Sequence, residues 1–305
     1  MSKMKSNKVY FPVYKSIEEE VLKLATSIHF TDEQINVYSL KIADLILRAS
    51  IELESLAKDI YRNEVKREPS SPGECINWLE ENRKISKKSL SVVSQYFYFD
   101  TSFSPNFCPF NYKNDSDDDY YAQYNAIKHD RVKNLGKANI NTLIRVLGAL
   151  FILNVYYKDL KVSLNDDYTG EKFDRSGGSE IFNFLVYPSE EASMLIGNKG
   201  IELDSCIYKI EKHYGQFCFN MIFINEKGDI RAWNCIMGNT PFQDFAKSKQ
   251  GQKLSLDEFF EQISKIIDID IEEQKQSLFR ELKIKQVIEI KGSKMRDSYW
   301  AVLNQ

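Results

Sequence analysis

The stretch Y-N-A-I-K-H-D-R at positions 124 to 131 brings a carboxamide, an imidazole, a carboxylate and two cations into about two helical turns. On a helix Asn125 and His129 stand four apart on one face, which Val132 continues. Lys128 and Arg131, three apart, occupy a neighbouring stripe. An imidazole passes protons near neutral pH, an amide holds a phosphate or ribose oxygen, and a cation offsets charge that develops as a phosphodiester breaks. The chemistry this set suits is metal-free attack of a ribose 2′-hydroxyl on its neighbouring phosphate. The competing reading is structural: Asn125 and His129 bond to each other or to a loop, and both cations are merely solvated.

The elements that must position this set are helical. Residues 31–64 repeat apolar side chains at helical spacing (Ile35, Ile42, Leu45, Ile46, Ala49, Leu53, Leu56, Ile60), with Thr31 and Gln34 as a capping-box start. A second helix is expected over Glu74 to Tyr98, after the turn-rich S-S-P-G. An aromatic, proline-containing loop covers 100–119. Its acidic run (Asp115, Asp117, Asp118, Asp119) lacks the glycine and glutamate of a calcium loop and is read as a carboxylate cluster at the next helix N-terminus. The polar motif helix follows, and then residues 138–157 are apolar enough for a central buried helix. The first 160 residues therefore read as all-helical.

This order of helices, with Asn125 and His129 ahead of a final apolar helix, resembles the HEPN superfamily. Its signature is an arginine, usually followed by Asn, Asp or His, with a histidine four to six positions after the arginine. Here Tyr124 stands in the arginine position. The resemblance implies a helical bundle that dimerises to form one ribonuclease site, in toxin, phage-defence or RNA-processing proteins. It makes His129 the acid/base or 2′-hydroxyl activator, Asn125 the phosphate or ribose contact, and Arg131 or Lys128 the charge stabiliser. Tyr124 joins Lys128 as a nucleic-acid contact. An antitoxin or other defence-system partner is implied too, and a catalytically silent nucleic-acid or protein-binding scaffold is the alternative.

Residues 166–180 form a polar, glycine-bearing linker, and the pattern beyond is mixed: strand 181–187, helix 189–196, the turn Gly197-Asn198-Lys199-Gly200, and an amphipathic helix 201–214. A hairpin turning at 226–229, a helix opened by Ser255 and Glu258, and a strand near 286–290 complete it. Strand, helix, G-x-x-G and helix resemble the K-homology (KH) domain, whose loop would present Gly197, Asn198, Lys199 and Gly200 to a sugar-phosphate strand. The expected fold class is α+β: a helical domain over 1–165, a linker over 166–180, and a smaller α+β domain over 181–305.

Composition narrows the classes. Lys plus Arg number 41 and Asp plus Glu 44, a formal charge of −3, so nucleic-acid binding must rest on a local site. Five cysteines without a C-x-x-C spacing argue for reduced thiols over a disulfide framework or zinc site. No apolar run suits a signal peptide or membrane span, which points to the cytoplasm without membrane contact. No phosphate loop, dinucleotide fingerprint or H-E-x-x-H occurs, so no cofactor or metal is expected.

Overall fold

Ser39, not Thr31, starts the longest helix: its hydroxyl accepts the N–H of Ile42 at 3.1 Å, and α2 runs Leu40–Val65 before Lys66 turns left-handed. The expected start fails because residues 30–38 have other partners. Phe30 and Thr31 form strand β1 (Phe30–Thr31), parallel to a later strand at Phe97 and Tyr98. The carbonyls of Ile35 and Val37 accept the N–H groups of Asn141 and Ile140, which open the central apolar helix. The Asp32 carboxylate takes three backbone N–H groups, from Asp100, Thr101 and Ser102, at 2.8 to 3.0 Å. The structure is a computed structural model that describes residues 3–112, 116–196, 200–236, 240–266 and 270–304.

The chain forms two compact units, 1–211 with 299–305, and 212–298. The first contains α1 (Lys3–Ala25), β1, α2, α3 (Pro72–Arg83), β2 (Leu90–Val92), β3 (Phe97–Tyr98), α4 (Tyr120–His129), α5 (Arg131–Asn134), α6 (Ile140–Lys158) and β4 (Val162–Asn165). It continues through β5 (Phe182–Phe184), β6 (Val186–Tyr187), α7 (Glu190–Ile196) and β7 (Tyr208–His213), and regains the chain in β12 (Ser298–Leu303). Helix α6 carries apolar residues all round, so it is buried on nearly every side, and α1, α2 and α4 pack on it. Among the described residues α6 is the one helix long and apolar enough to cross a membrane, and 94% of its apolar window is buried inside the protein.

The fold class is α+β, as expected, but several boundaries move. The helix predicted over 74–98 ends at Arg83, where Lys84 adopts φ 49°; beyond it the β-branched S-L-S-V-V supplies β2, paired antiparallel with β5. The first 160 residues are therefore not all-helical. The helix predicted over 201–214 is instead a one-turn 3-10 segment (Leu203–Ser205) and strand β7, which lies between β6 and β12 in a sheet ordered β4-β12-β7-β6. Tyr208 and Ile210 alternate inward, so the period of two prevails once two neighbouring strands offer backbone partners. That strand removes the second helix of the KH order, and the KH reading is withdrawn.

The predicted linker at 166–180 also belongs to the first unit. Buried Glu18 of α1 accepts N–H groups from Glu180 and Ile181 and hydroxyls from Tyr14 and Ser179, fastening residues 179–181 to that helix. The division between units falls after 211 and again before 299.

The second unit has its own core around Phe219, Met221, Phe259 and Ile290. Its sheet order is β10-β11-β8-β9, from β8 (Phe217–Asn225), β9 (Ile230–Ile236), β10 (Lys253–Leu254) and β11 (Ile284–Lys294). Helices α8 (Thr240–Ser248), α9 (Leu256–Ser264) and α10 (Ile271–Leu282) pack on β11, α8 also on β8. The hairpin and the Ser255/Glu258 capping box both occur where the sequence places them. All five cysteines are free thiols, three of them buried.

Acid should loosen the first unit. Hydrogen bonds from the Ser102 hydroxyl and the 100–102 backbone hold the Asp32 carboxyl well below its usual range, while Lys41 and Arg48 pull Glu20 down to about 2. Depressed carboxyls stabilise the fold fully above their unfolded values, near 4, and lose that contribution as pH falls toward 2. Tm measured between pH 5 and pH 2 is expected to fall faster for the parent than for Asp32→Ala, which should lose about 1–2 kcal/mol at pH 7. Parallel pH profiles would remove Asp32 from the account.

Candidate nucleic-acid site

The N-terminus of α4 is set by Asp119, whose carboxylate accepts the N–H groups of Tyr121 and Ala122 at 3.1 and 2.9 Å. Asp119 of the acidic run thus caps the helix, as read from the sequence, while Asp115 lies outside the described residues. Asp118 extends the same arrangement by pairing with Arg145 at 2.8 Å and accepting the Asn141 amide at 3.0 Å, both on α6. The motif helix is tied to the central helix from its first turn.

Its last turn carries the motif. Tyr124 is 1% exposed and Ile127 is also buried, so this face of α4 belongs to the core. Asn125 is half-buried, and Lys128 and His129 are exposed at the helix end. Among the described residues neither the Asn125 nor the His129 side chain makes a hydrogen bond or ion pair. They share a face, one turn apart, with solvent access.

Arg131 is placed differently from the sequence reading. The chain breaks at Asp130 (φ −147°, ψ 85°), which ends α4 and caps α5 by accepting the N–H of Lys133 at 3.1 Å. Asn134 reaches back to the carbonyls of Ala126 and Asp130, at 3.1 and 2.9 Å, closing the end of α4. Lys128 and Arg131 therefore lie on two helices rather than one stripe, and Val132 does not continue the Asn125 face; it is 94% exposed. The signal was present in the sequence, because Asp ahead of R-V-K is a favoured helix start.

Arg131 pairs with Asp44 of α2 at 3.0 Å, both side chains about half exposed. Such a pair is worth about 0–1 kcal/mol, so a phosphate can displace the carboxylate at little cost. The Lys128 ammonium stands 5.2 Å from the centre of the Tyr124 ring, and a hydrogen bond with that tyrosine raises its pKa. Tyr124 is thus corrected from a nucleic-acid contact to a buried support for Lys128. Asp44, Lys133 and Lys137 were not singled out in sequence; both lysines are exposed, so residues 128–137 present four cations against Asp130 alone.

Of the glycine turn, Gly197, Asn198 and Lys199 lie outside the described residues. Gly200 is exposed with φ +73° and is followed by the 3-10 segment and β7, so no helix N-terminus faces it. Among the described residues no group of three or more His, Cys, Asp or Glu side chains is placed to hold a metal ion. Set against family models, curated proteins and solved structures, the chain matches none.

Proposed function

We propose that the chain acts on RNA as a HEPN-like, metal-independent endoribonuclease, with the site at the end of α4. The observation that carries this reading is an exposed His129, one turn from a half-buried Asn125, inside the cationic segment 128–137. His129 moves the proton of the 2′-hydroxyl, Asn125 holds a phosphate or ribose oxygen, and Lys128 and Arg131 offset charge on the phosphate. Helices α1, α2, α4 and α6 are the HEPN-like bundle in this reading. By the same resemblance the protein works as a cytoplasmic homodimer in a toxin or phage-defence setting, under an antitoxin or other defence partner.

A second reading has its own support. Tyr124 occupies the family's arginine position and is buried, and Arg131 is engaged by Asp44, which favours a silent RNA-binding scaffold. Purified protein and His129→Ala, incubated with total RNA in EDTA, separate the two. Cleavage by the parent and loss of it in the variant is the expected result. Salt-sensitive binding with no cleavage by either protein would transfer the case to the scaffold, and absence of RNA binding would end the ribonuclease reading and leave only a protein-binding scaffold.

A further inference from the structure

A cavity of about 650 Å³ opens within the first unit between Phe11 of α1, the end of α6, β4 and the loop 165–178. That volume lies inside the range of roughly 300–1,000 Å³ usual for small-molecule clefts. One wall is aromatic: Phe173, Phe184 and Tyr208 meet with ring centres 5.1 to 5.9 Å apart. Val155, Leu160 and Val162 add aliphatic surface. This is a lining for a flat, apolar body.

One cation is built into it. The Lys158 ammonium sits 3.2 Å from the centre of the Phe11 ring and donates to the Gly177 carbonyl at 2.8 Å. Among the described residues it has no carboxylate in ion-pair range. The two acidic residues lining the cavity are already engaged: Asp167 accepts from Thr169, Gly170 and Lys172 within its own loop, and Asp174 accepts from Ser176. Lys172 adds an exposed second cation to the lining. Burial draws Lys158 down to about 8, which leaves it protonated at neutral pH. Asp174 raises it only from beyond ion-pair distance, and a partly desolvated ammonium with spare donors and no directly paired carboxylate is a costly feature unless an anion joins it.

The ammonium is held in place from both sides. Gly177 and Gly178 have φ of 53° and 91°, and a side chain at Gly178 would reach within 3.0 Å of the Phe11 ring. These glycines let the backbone carbonyl and the ring approach Lys158 together.

We propose that this cavity binds a small planar organic anion, its ring against Phe173, Phe184 and Tyr208 and its anionic head on Lys158. Mononucleotides and aromatic carboxylates share that chemistry. The test titrates the full chain with AMP and with 2-aminobenzoate, and with adenosine and 2-aminobenzamide as neutral counterparts, by calorimetry. At least one anion is expected to bind, its neutral counterpart and Lys158→Met each weakening binding about tenfold or more. AMP binding assigns the site to nucleotides, and binding of 2-aminobenzoate alone to non-nucleotide carboxylates. A footprint on the parent protein covers the case of a misfolded variant: the bound anion should protect Lys158, but not Lys133, from acetylation. Failure of both anions to bind by about 1 mM, equal binding of a neutral counterpart, or an unprotected Lys158 would overturn the assignment.

Discussion

Glu18→Ala is expected to lower the unfolding free energy of the first unit by about 3–5 kcal/mol, read from urea denaturation. The side chain is fully buried. One carboxylate oxygen accepts from the Tyr14 hydroxyl at 2.9 Å, from the Ser179 hydroxyl, and from the N–H groups of Glu180 and Ile181 at 2.9 and 3.2 Å; the other takes the Lys15 ammonium. Truncation orphans the Glu180 N–H in the interior and leaves the Ser179 hydroxyl as the remaining partner of the Tyr14 hydroxyl and the Ile181 N–H, while Lys15 keeps Glu180; a buried donor without an acceptor costs more than its bond was worth. Glu18→Gln should fall between, because its amide keeps one acceptor but turns N–H groups toward the Lys15 ammonium. Since the same carboxylate anchors residues 179–181, just after the Gly177 contact to Lys158, anion binding in the cavity should weaken in parallel. A loss below about 1 kcal/mol for the alanine variant would mean that water replaces the carboxylate.

Lys88→Met works in the opposite direction and should stabilise the protein by about 1–3 kcal/mol at pH 7. Lys88 is 1% exposed, and its ammonium donates to the Cys206 carbonyl at 3.0 Å. Burial draws its pKa from 10.5 down to about 8, against an opposing pull from Asp204. A fall of that size corresponds to about 3 kcal/mol of cost for keeping the charge inside. The unfolded chain binds the proton more tightly, so the cost is complete below pH 8 and fades as pH rises to about 10.5. Methionine fills the same space, and the Cys206 carbonyl keeps the Asn304 amide at 3.1 Å. The gain in Tm should therefore be largest at neutral pH and shrink between pH 8 and 10.5. A gain that does not change with pH would show that packing, not charge burial, is responsible.

The candidate site was half legible. The one-turn spacing of Asn125 and His129 follows from helix geometry alone, and their shared solvent-accessible face agrees with it. Tyr124 sits beside them in sequence yet points inward, because residue 124 falls on the buried stripe with Tyr120 and Ile127. The Arg131 partner is Asp44, 87 positions away, and no local pattern encodes that distance.

What the sequence determined by itself are elements whose causes lie within a few residues: the apolar stripe of α2, the predominantly apolar α6, the Asp119 and Ser255 caps, and the hairpin of β8 and β9. Tertiary structure decided the rest. β7 is a strand because β6 and β12 offer its backbone partners, although Leu203, Ile207 and Ile210 fit a helix. Residues 166–180 are part of the first unit because Glu18, far earlier in the chain, fixes their end at Ser179 and Glu180. The Lys158 cavity gathers lining from position 11 to position 208. Local propensities differ by less than about 1 kcal/mol per residue, so a long-range hydrogen-bonded or buried partner outweighs them wherever the two disagree.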